Sequence, residues 1–252
     1  MTHFAPDYFL DPQHPITVAL AGCGGTGSQV LTLLSRMDFA LRGLGHPGFH
    51  VKAFDNDTVS ESNVGRQLFS PSEIGLNKAE ALITRVNRFF GLDWEAVPYH
   101  FNKERKKDGS ARVNIIVSCV DTVKKGRWVI AEMFKMTTHT YRPFENSYYW
   151  LDFGNAEKTG QAVLGTVHKI KQPKGGKETL PTIRDLHPDM TDDDQGPSCS
   201  IAEALRRQDL FINTTVATLG MDILWKLFRE AKIEHHGVYL NLDTMKVNPL
   251  KA

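Results

Sequence analysis

Gly22-Cys23-Gly24-Gly25-Thr26-Gly27 follows the apolar run ITVALA at 16–21 and precedes an amphipathic stretch. Glycines between a strand and a helix let the backbone turn sharply and approach a phosphate or ribose beside the positive end of the helix. The motif points to a nucleotide without saying which; a tight strand–helix crossing that binds nothing uses the same residues. Asp55 closes the next apolar run, with Asp57 two residues on. An acid there accepts hydrogen bonds from ribose hydroxyls, although an Asp-Asn-Asp turn held by its own side chains also accounts for it. The 28 residues from Gly27 to Asp55 exceed the usual dinucleotide spacing, and the stretch 42–48, with its Gly and Pro, absorbs the excess.

Arg66 and Lys78 bring two cations to the mouth of the same cleft. A dehydrogenase has little use for two cations there, whereas neutralising a triphosphate and stabilising a pentavalent phosphorus requires them. Solvated side chains are the plainer alternative. Cys119-Val120-Asp121 places a carboxylate at the end of a largely apolar run. Asp121 suits Mg²⁺, which takes one or two carboxylates plus phosphate oxygens and water, or it caps the next helix. Cys199 follows a long polar stretch and precedes a helical pattern, where the positive helix end favours the thiolate. It is the best nucleophile candidate, with a small residue packed at a loop–helix junction as the alternative; Cys23 and Cys119 sit inside structural motifs and are expected to be inert.

GCGGTGS, then DNDTVSESNVGRQ, then Lys78, then SCVD resemble, in that order, the ThiF-like superfamily of adenylating enzymes, which includes the ubiquitin-activating enzymes. The run from Asp55 to Gln67 is the more specific part, and the resemblance spans roughly residues 16–227. It implies ATP as substrate and nucleotide contacts from Gly22, Gly24, Gly25, Gly27, Asp55, Asp57, Ser62, Asn63, Arg66, Gln67, Lys78, Asp121 and Thr122. Gly25 would lie against the nucleotide, Asp55 would hold the ribose, and Asn63, Arg66, Gln67 and Lys78 would bind the triphosphate. Asp121 would carry Mg²⁺, and Arg66, Lys78 and Cys199 would be catalytic. The implied reaction is adenylation of the C-terminal carboxylate of a small ubiquitin-like or sulfur-carrier-like protein, with a thioester on Cys199 as a possible second step. The short form and SCSIAEALRRQDLFIN are similar to the ThiF-like component of bacterial PRTRC systems. Three features depart from the family: the paired C-x-x-C motifs that hold zinc are absent, so no zinc is expected; no arginine-bearing helix precedes the first strand; and Thr122 stands where Asn is common.

The elements that must position these residues are strands at 16–21, 49–54, 94–99 and 113–120, alternating with helices at 28–37, 78–90 and 123–135. Such alternation means βαβ units and a doubly wound, Rossmann-like, mostly parallel α/β sheet. In the helix at 78–90, Ala79, Leu82, Ile83, Val86, Phe89 and Phe90 form the expected inner face. Beyond residue 137 come paired strands at 147–153 and 161–170, a long polar stretch at 171–197 of the kind that is functional or disordered, helices at 201–208 and 211–229, and a strand at 238–242. The chain reads as one adenylation domain over 1–252, with a nucleotide-binding half at 1–137 and a substrate half at 138–252. His235-His236 reads as a capped helix end and the basic run at 103–108 as a solvated loop. The apolar helix at 211–229 needs the sheet or a second subunit to cover it, and the resemblance favours a homodimer.

A net charge of +1 gives no support to a nucleic-acid binder. The longest apolar runs fall far short of a membrane span. Residues 1–14 carry Asp7 and Asp11 but no Lys or Arg, unlike a secretory signal, and two of the three cysteines sit in apolar, strand-like surroundings, which suits a reducing compartment, so a cytoplasmic protein is expected. Two other readings remain: a nucleotide-binding scaffold without catalysis, and an NAD-dependent oxidoreductase, which leaves Arg66, Lys78 and Asp121 unexplained together.

Overall fold

The computed structural model describes residues 1–102, 104, 112–135, 140–192 and 208–252. Among the described residues ten strands are present: β1 (His3–Phe4), β2 (Ile16–Ala21), β3 (Phe49–Phe54), β4 (Glu95–Val97), β5 (Ile115–Ser118), β6 (Tyr149–Asn155), β7 (Thr159–Thr166), β8 (Lys232–Ile233), β9 (His235–Asn241) and β10 (Lys246–Lys251). Helices are α1 (Asp7–Leu10), α2 (Gly25–Gly43), α3 (Lys78–Phe90), α4 (Trp128–Lys135), α5 (Ile183–Leu186) and α6 (Ile212–Arg229). Eight strands form one sheet in the order β10-β9-β7-β6-β5-β2-β3-β4, and β1 pairs with β8 in a separate ribbon. The β6-β5-β2-β3-β4 part is parallel, and β6-β7-β9-β10 is antiparallel.

Alternation along each central strand serves both faces of the sheet. Val18, Leu20, Ile115, Val117, Tyr149 and Leu151 join the core beneath α1, α2, α3 and α6. Their neighbours Ala19, Ala21, Ile116 and Trp150 join a second core beneath α4 and α5. The sheet is thus sandwiched between helices, and its unbroken apolar runs are what a two-faced sheet demands. Helix α6 lies against β6, β7 and α2, which cover it without a second subunit.

The structure corrects several boundaries and assignments. Helix α2 runs through Gly43, beyond the expected end at 37, because Leu41 stays buried and Asp38 pairs with Arg42. Phe89 does not face the core; it is 80% exposed at the last turn of α3, where Gly91 (φ +67°) ends the helix. His235-His236 is not a helix end but the start of β9, with the His236 ring buried and bonded to the Leu164 carbonyl. The stretch after 171 is not featureless: Leu180 and Ile183 are buried, and Thr182 and Asp185 form a capping box on α5. Strand β10 has no counterpart among the expected elements. The helix at 201–207, the basic run at 103–108 apart from Glu104, and Cys199 lie outside the described residues.

Gly220 lets α6 reach the sheet: a Cβ there would stand 2.3 Å from the Phe153 ring. Gly→Ala within a helix ordinarily stabilises by about 1 kcal/mol. Overpacking here reverses that sign, so Gly220→Ala should lose about 1–3 kcal/mol in urea unfolding; a gain would contradict the described packing.

His3 ties down the N-terminal ribbon. Its fully buried ring donates from Nδ1 to the Lys177 carbonyl (2.6 Å) and accepts at Nε2 from the Tyr149 hydroxyl (2.7 Å). Burial lowers the pKa of His3, with the Lys177 bond opposing, and burial likewise lowers that of His236. Both rings are held neutral, so their stabilisation is complete above the unfolded value near 6.5 and is lost as pH falls through the lower folded values. Unfolding free energy should therefore fall from pH 7 toward 5.5, less steeply in His3→Gln; identical slopes in the two proteins would contradict this.

Candidate functional site

The C-terminal ends of β2, β3 and β5 lie side by side, with Ala21 opposite both Phe54 and Ser118. The glycine turn, Asp55 and Asp121 therefore emerge from one edge of the sheet, where open α/β folds bind ligands. Gly22 has φ +92°, and a Cβ on it would stand 2.7 Å from the Cys119 carbonyl oxygen. At Gly27 a Cβ would stand 1.9 Å from the Gly22 carbonyl oxygen. These two glycines exist so that α2 can start directly on the strand ends. Among the described residues a Cβ at Gly24 would meet nothing within 4 Å. Helix α2 has no side chain capping its N-terminus, leaving its first amides available to an anion.

Asp55 Oδ2 accepts from the Cys23 amide (2.6 Å) and Oδ1 from the Asp57 amide (2.8 Å), fixing the carboxylate against the turn. Burial raises its pKa, opposed by those two bonds and by Lys78. Lys78 is nearly buried in the first turn of α3 and reaches Asp57 Oδ2 at 3.0 Å. Asn77, which sequence reasoning missed, caps α3 by accepting from the Glu80 amide and donates to the carbonyls of Asp55 and Asp57. It locks the helix bearing Lys78 to the acidic turn.

Arg66 is half-buried, and among the described residues no carboxylate pairs with it. Its Nη1 donates to Gln208 Oε1 at 3.0 Å, and its Nε is buried with no partner. Burial lowers its pKa. Gln67 beside it is buried, with Oε1 also unpartnered. Asn63 uses its amide oxygen locally, accepting from the Ser60 amide and hydroxyl, and Ser62 meets the Ser60 hydroxyl. The Leu68 amide donates to Ser28 Oγ, holding this loop on the first turn of α2. Gly25 faces protein: a Cβ there would stand 2.8 Å from the Asn213 amide.

Asp121 is exposed after β5, and among the described residues it has no hydrogen-bond or ion-pair partner. The structure thus gathers Asp55, Asp57 and Lys78, ties Arg66 to Thr26 at the α2 terminus through Gln208 and Asn213, and leaves Asp121 on the same sheet edge without bonding it to either cation. The turn that follows, Val123–Arg127, is a π-helix preceded by Thr122. Arg127 folds back beneath it to bond buried Asp152 (3.0 Å) and the Phe153 carbonyl (2.7 Å), and Asp152 also accepts from Ser118 Oγ. Burial raises the Asp152 pKa, with Arg127 opposing. From the far side, Asp192 accepts from the Val123 and Lys124 amides. Burial pushes the thiols of Cys23 and Cys119 well up, which keeps them protonated. Among the described residues, cavities of about 470 Å³ by Thr166, His168 and Lys177 and about 930 Å³ along α3 by Leu76 and Phe89 lie away from this edge. No helix among the described residues is long and apolar enough to cross a membrane.

Comparison with known proteins fits this geometry. The sequence is 29% identical over 169 residues to the ubiquitin-like modifier-activating enzyme 5 of Drosophila willistoni, covering 62% of this chain and 36% of that protein. With the same enzyme of Caenorhabditis elegans it shares 27% over 172 residues, 63% and 35% of the two chains. The chain therefore spans about a third of the length of these relatives. Among solved structures, Escherichia coli MccB with ATP superposes with a TM-score of 0.60 at 16% identity, covering 96% of this chain and 64% of MccB. PaaA superposes with a TM-score of 0.61 at 14% identity, covering 94% and 64%. These likenesses establish a shared fold. The ThiF family model matches residues 13–251, nearly the whole sequence, and the chain belongs to the ThiF family.

Proposed function

We propose that the protein adenylates the C-terminal carboxylate of a small ubiquitin-like or sulfur-carrier-like protein, with ATP as co-substrate. The observation that carries this reading is Arg66: a half-buried cation without a carboxylate partner among the described residues, its Nε unpartnered, beside the uncapped N-terminus of α2. A guanidinium in that condition suits a phosphate, which takes its fork side by side. Membership of the ThiF family, and relatives named as activators of ubiquitin-like modifiers, support the same assignment.

In this reading the triphosphate lies over the glycine turn, with Gly24 and the first amides of α2 toward its phosphates and Asp55 toward the ribose. Arg66 and Lys78 neutralise charge as the substrate carboxylate oxygen attacks the α-phosphorus and the bond to the β-phosphate breaks. Pyrophosphate leaves with the electron pair, and acyl-AMP remains. The attacking carboxylate is ionised at neutral pH, so no general base is required. Asp121, exposed and unpartnered among the described residues, would hold Mg²⁺, which supplies charge neutralisation at the phosphates. Lys78 is shared with Asp57 and must pass from that carboxylate to phosphate, whereas Arg66 needs no such exchange. A thiolate at Cys199 would then attack the acyl carbonyl and expel AMP, leaving a thioester. The thioester, Mg²⁺, a homodimer and a partner like that of PRTRC systems belong to this proposal.

Isothermal titration with MgATP and with NAD tests the nucleotide: MgATP should bind, and at about a hundred times its Kd raise stability by about 2.7 kcal/mol, while NAD should not. Preference for NAD would restore the oxidoreductase reading. With a ubiquitin-like candidate encoded nearby, ATP–pyrophosphate exchange should fall about 10²–10³-fold in Arg66→Ala or Lys78→Ala; undiminished exchange in both would remove the assignment. MgATP binding without exchange would favour a scaffold. Cys199→Ala should keep exchange but lose any thioester seen by intact-mass spectrometry, and a persisting adduct would place the thioester elsewhere.

A further inference from the structure

Arg66 is held by a chain of side-chain amides, Gln208 and Asn213, that lies outside the glycine turn and the run from Asp55 to Gln67. Its Nη1 donates to Gln208 Oε1 (3.0 Å), and the same oxygen accepts from Asn213 Nδ2 (3.0 Å). Asn213 Oδ1 in turn accepts from Thr26 Oγ1 (2.9 Å) and Asn155 Nδ2 (2.7 Å). Arginine can only donate, and this fixes the polarity of the whole chain. Gln208 must show its oxygen to Arg66, so Asn213 must show its nitrogen to Gln208 and its oxygen to Thr26. Asn213 is 3% exposed, and Gly25 leaves the room its side chain occupies. The chain joins the Arg66 loop, the first turns of α6 and α2, and the end of β6. Gln208 bonds Nη1, and no carboxylate pairs with the guanidinium among the described residues, so its charge is left for a phosphate.

We propose that Gln208, seated on Asn213, is a positioning residue that presents Arg66 to the triphosphate without neutralising it. This rests on the nucleotide reading above and deepens it. A carboxylate at 208 would satisfy the same geometry but pair with the guanidinium and compete with phosphate. A glutamine gives orientation and leaves the charge intact. The amide at 208 thereby bears on triphosphate affinity and not on the nucleoside.

Titration calorimetry with MgATP and, separately, adenosine tests this on the full chain. Gln208→Glu should weaken MgATP about tenfold and leave adenosine unchanged, with circular dichroism confirming the fold. Gln208→Met, which removes the acceptor without adding charge, should also weaken MgATP selectively. In an Arg66→Ala background, Gln208→Met should cost nothing further. Wild-type MgATP affinity in both single variants, equal weakening toward adenosine, or a full additional loss in the Arg66→Ala background would each overturn the inference. Absence of MgATP binding by the unaltered protein is a separate outcome: it would overturn the nucleotide reading and this inference with it.

Discussion

Everything at the candidate site depends on the contact between the glycine turn and the β5 end. The Cys119 carbonyl presses on Gly22 and the Gly22 carbonyl on Gly27, at distances no Cβ could share. That contact sets the start of α2 directly over the strand ends and points its free amides outward. It also brings the β5 exit, with Asp121, alongside the turn. Without it α2 would stand off the sheet, and the anion-attracting helix end would face nothing. Gly22 and Gly27 thus answer to packing, and Gly24 meets no such contact among the described residues, so different glycines of one motif meet different demands.

Around that contact the structure divides its cations by how they are satisfied. Lys78 has Asp57, and Arg127 has Asp152 and a carbonyl in a buried setting. Among the described residues Arg66 has only a neutral amide, and desolvation lowers its pKa. A cation held partly out of water without a counter-ion is costly unless something anionic visits. Arg127 serves the backbone instead. Its pair with Asp152 anchors the π-turn after Asp121 to β6 and fixes the path of the chain there, while Asp192 holds the turn from outside.

Much of this is legible in the sequence, and the failures have physical reasons. The parallel half announces itself because strands buried on both faces must be continuous apolar runs, as at 16–21 and 49–54. Helix α3 has the bounds its sequence predicts because Asn77 caps it and Gly91 ends it. Phe89 misleads because an apolar residue at a helix end matches the periodicity while its neighbours run out. Strand β10, KVNPLK, is polar and exposed along an edge, and its pairing with β9 supplies the order that its composition does not. His235-His236 resembles a helix end because β8 is only two residues long and gives no strand signal before it. At the site, the motif residues are visible since they lie within short stretches. Gln208 and Asn213 are not, because Thr26 and Asn213 meet across 187 residues of sequence and lone amides carry no local signature.

In the proposed complex a nucleotide's phosphates lie over the glycine turn, against Arg66 and Lys78. A crystal structure of the protein grown with MgATP tests it most directly. Phosphate oxygens should lie within hydrogen-bond distance of the Arg66 guanidinium and Lys78 Nζ, with the ribose at Asp55 and the metal on Asp121. Nucleotide bound elsewhere, or bound here with Arg66 and Lys78 both turned away from it, would contradict it.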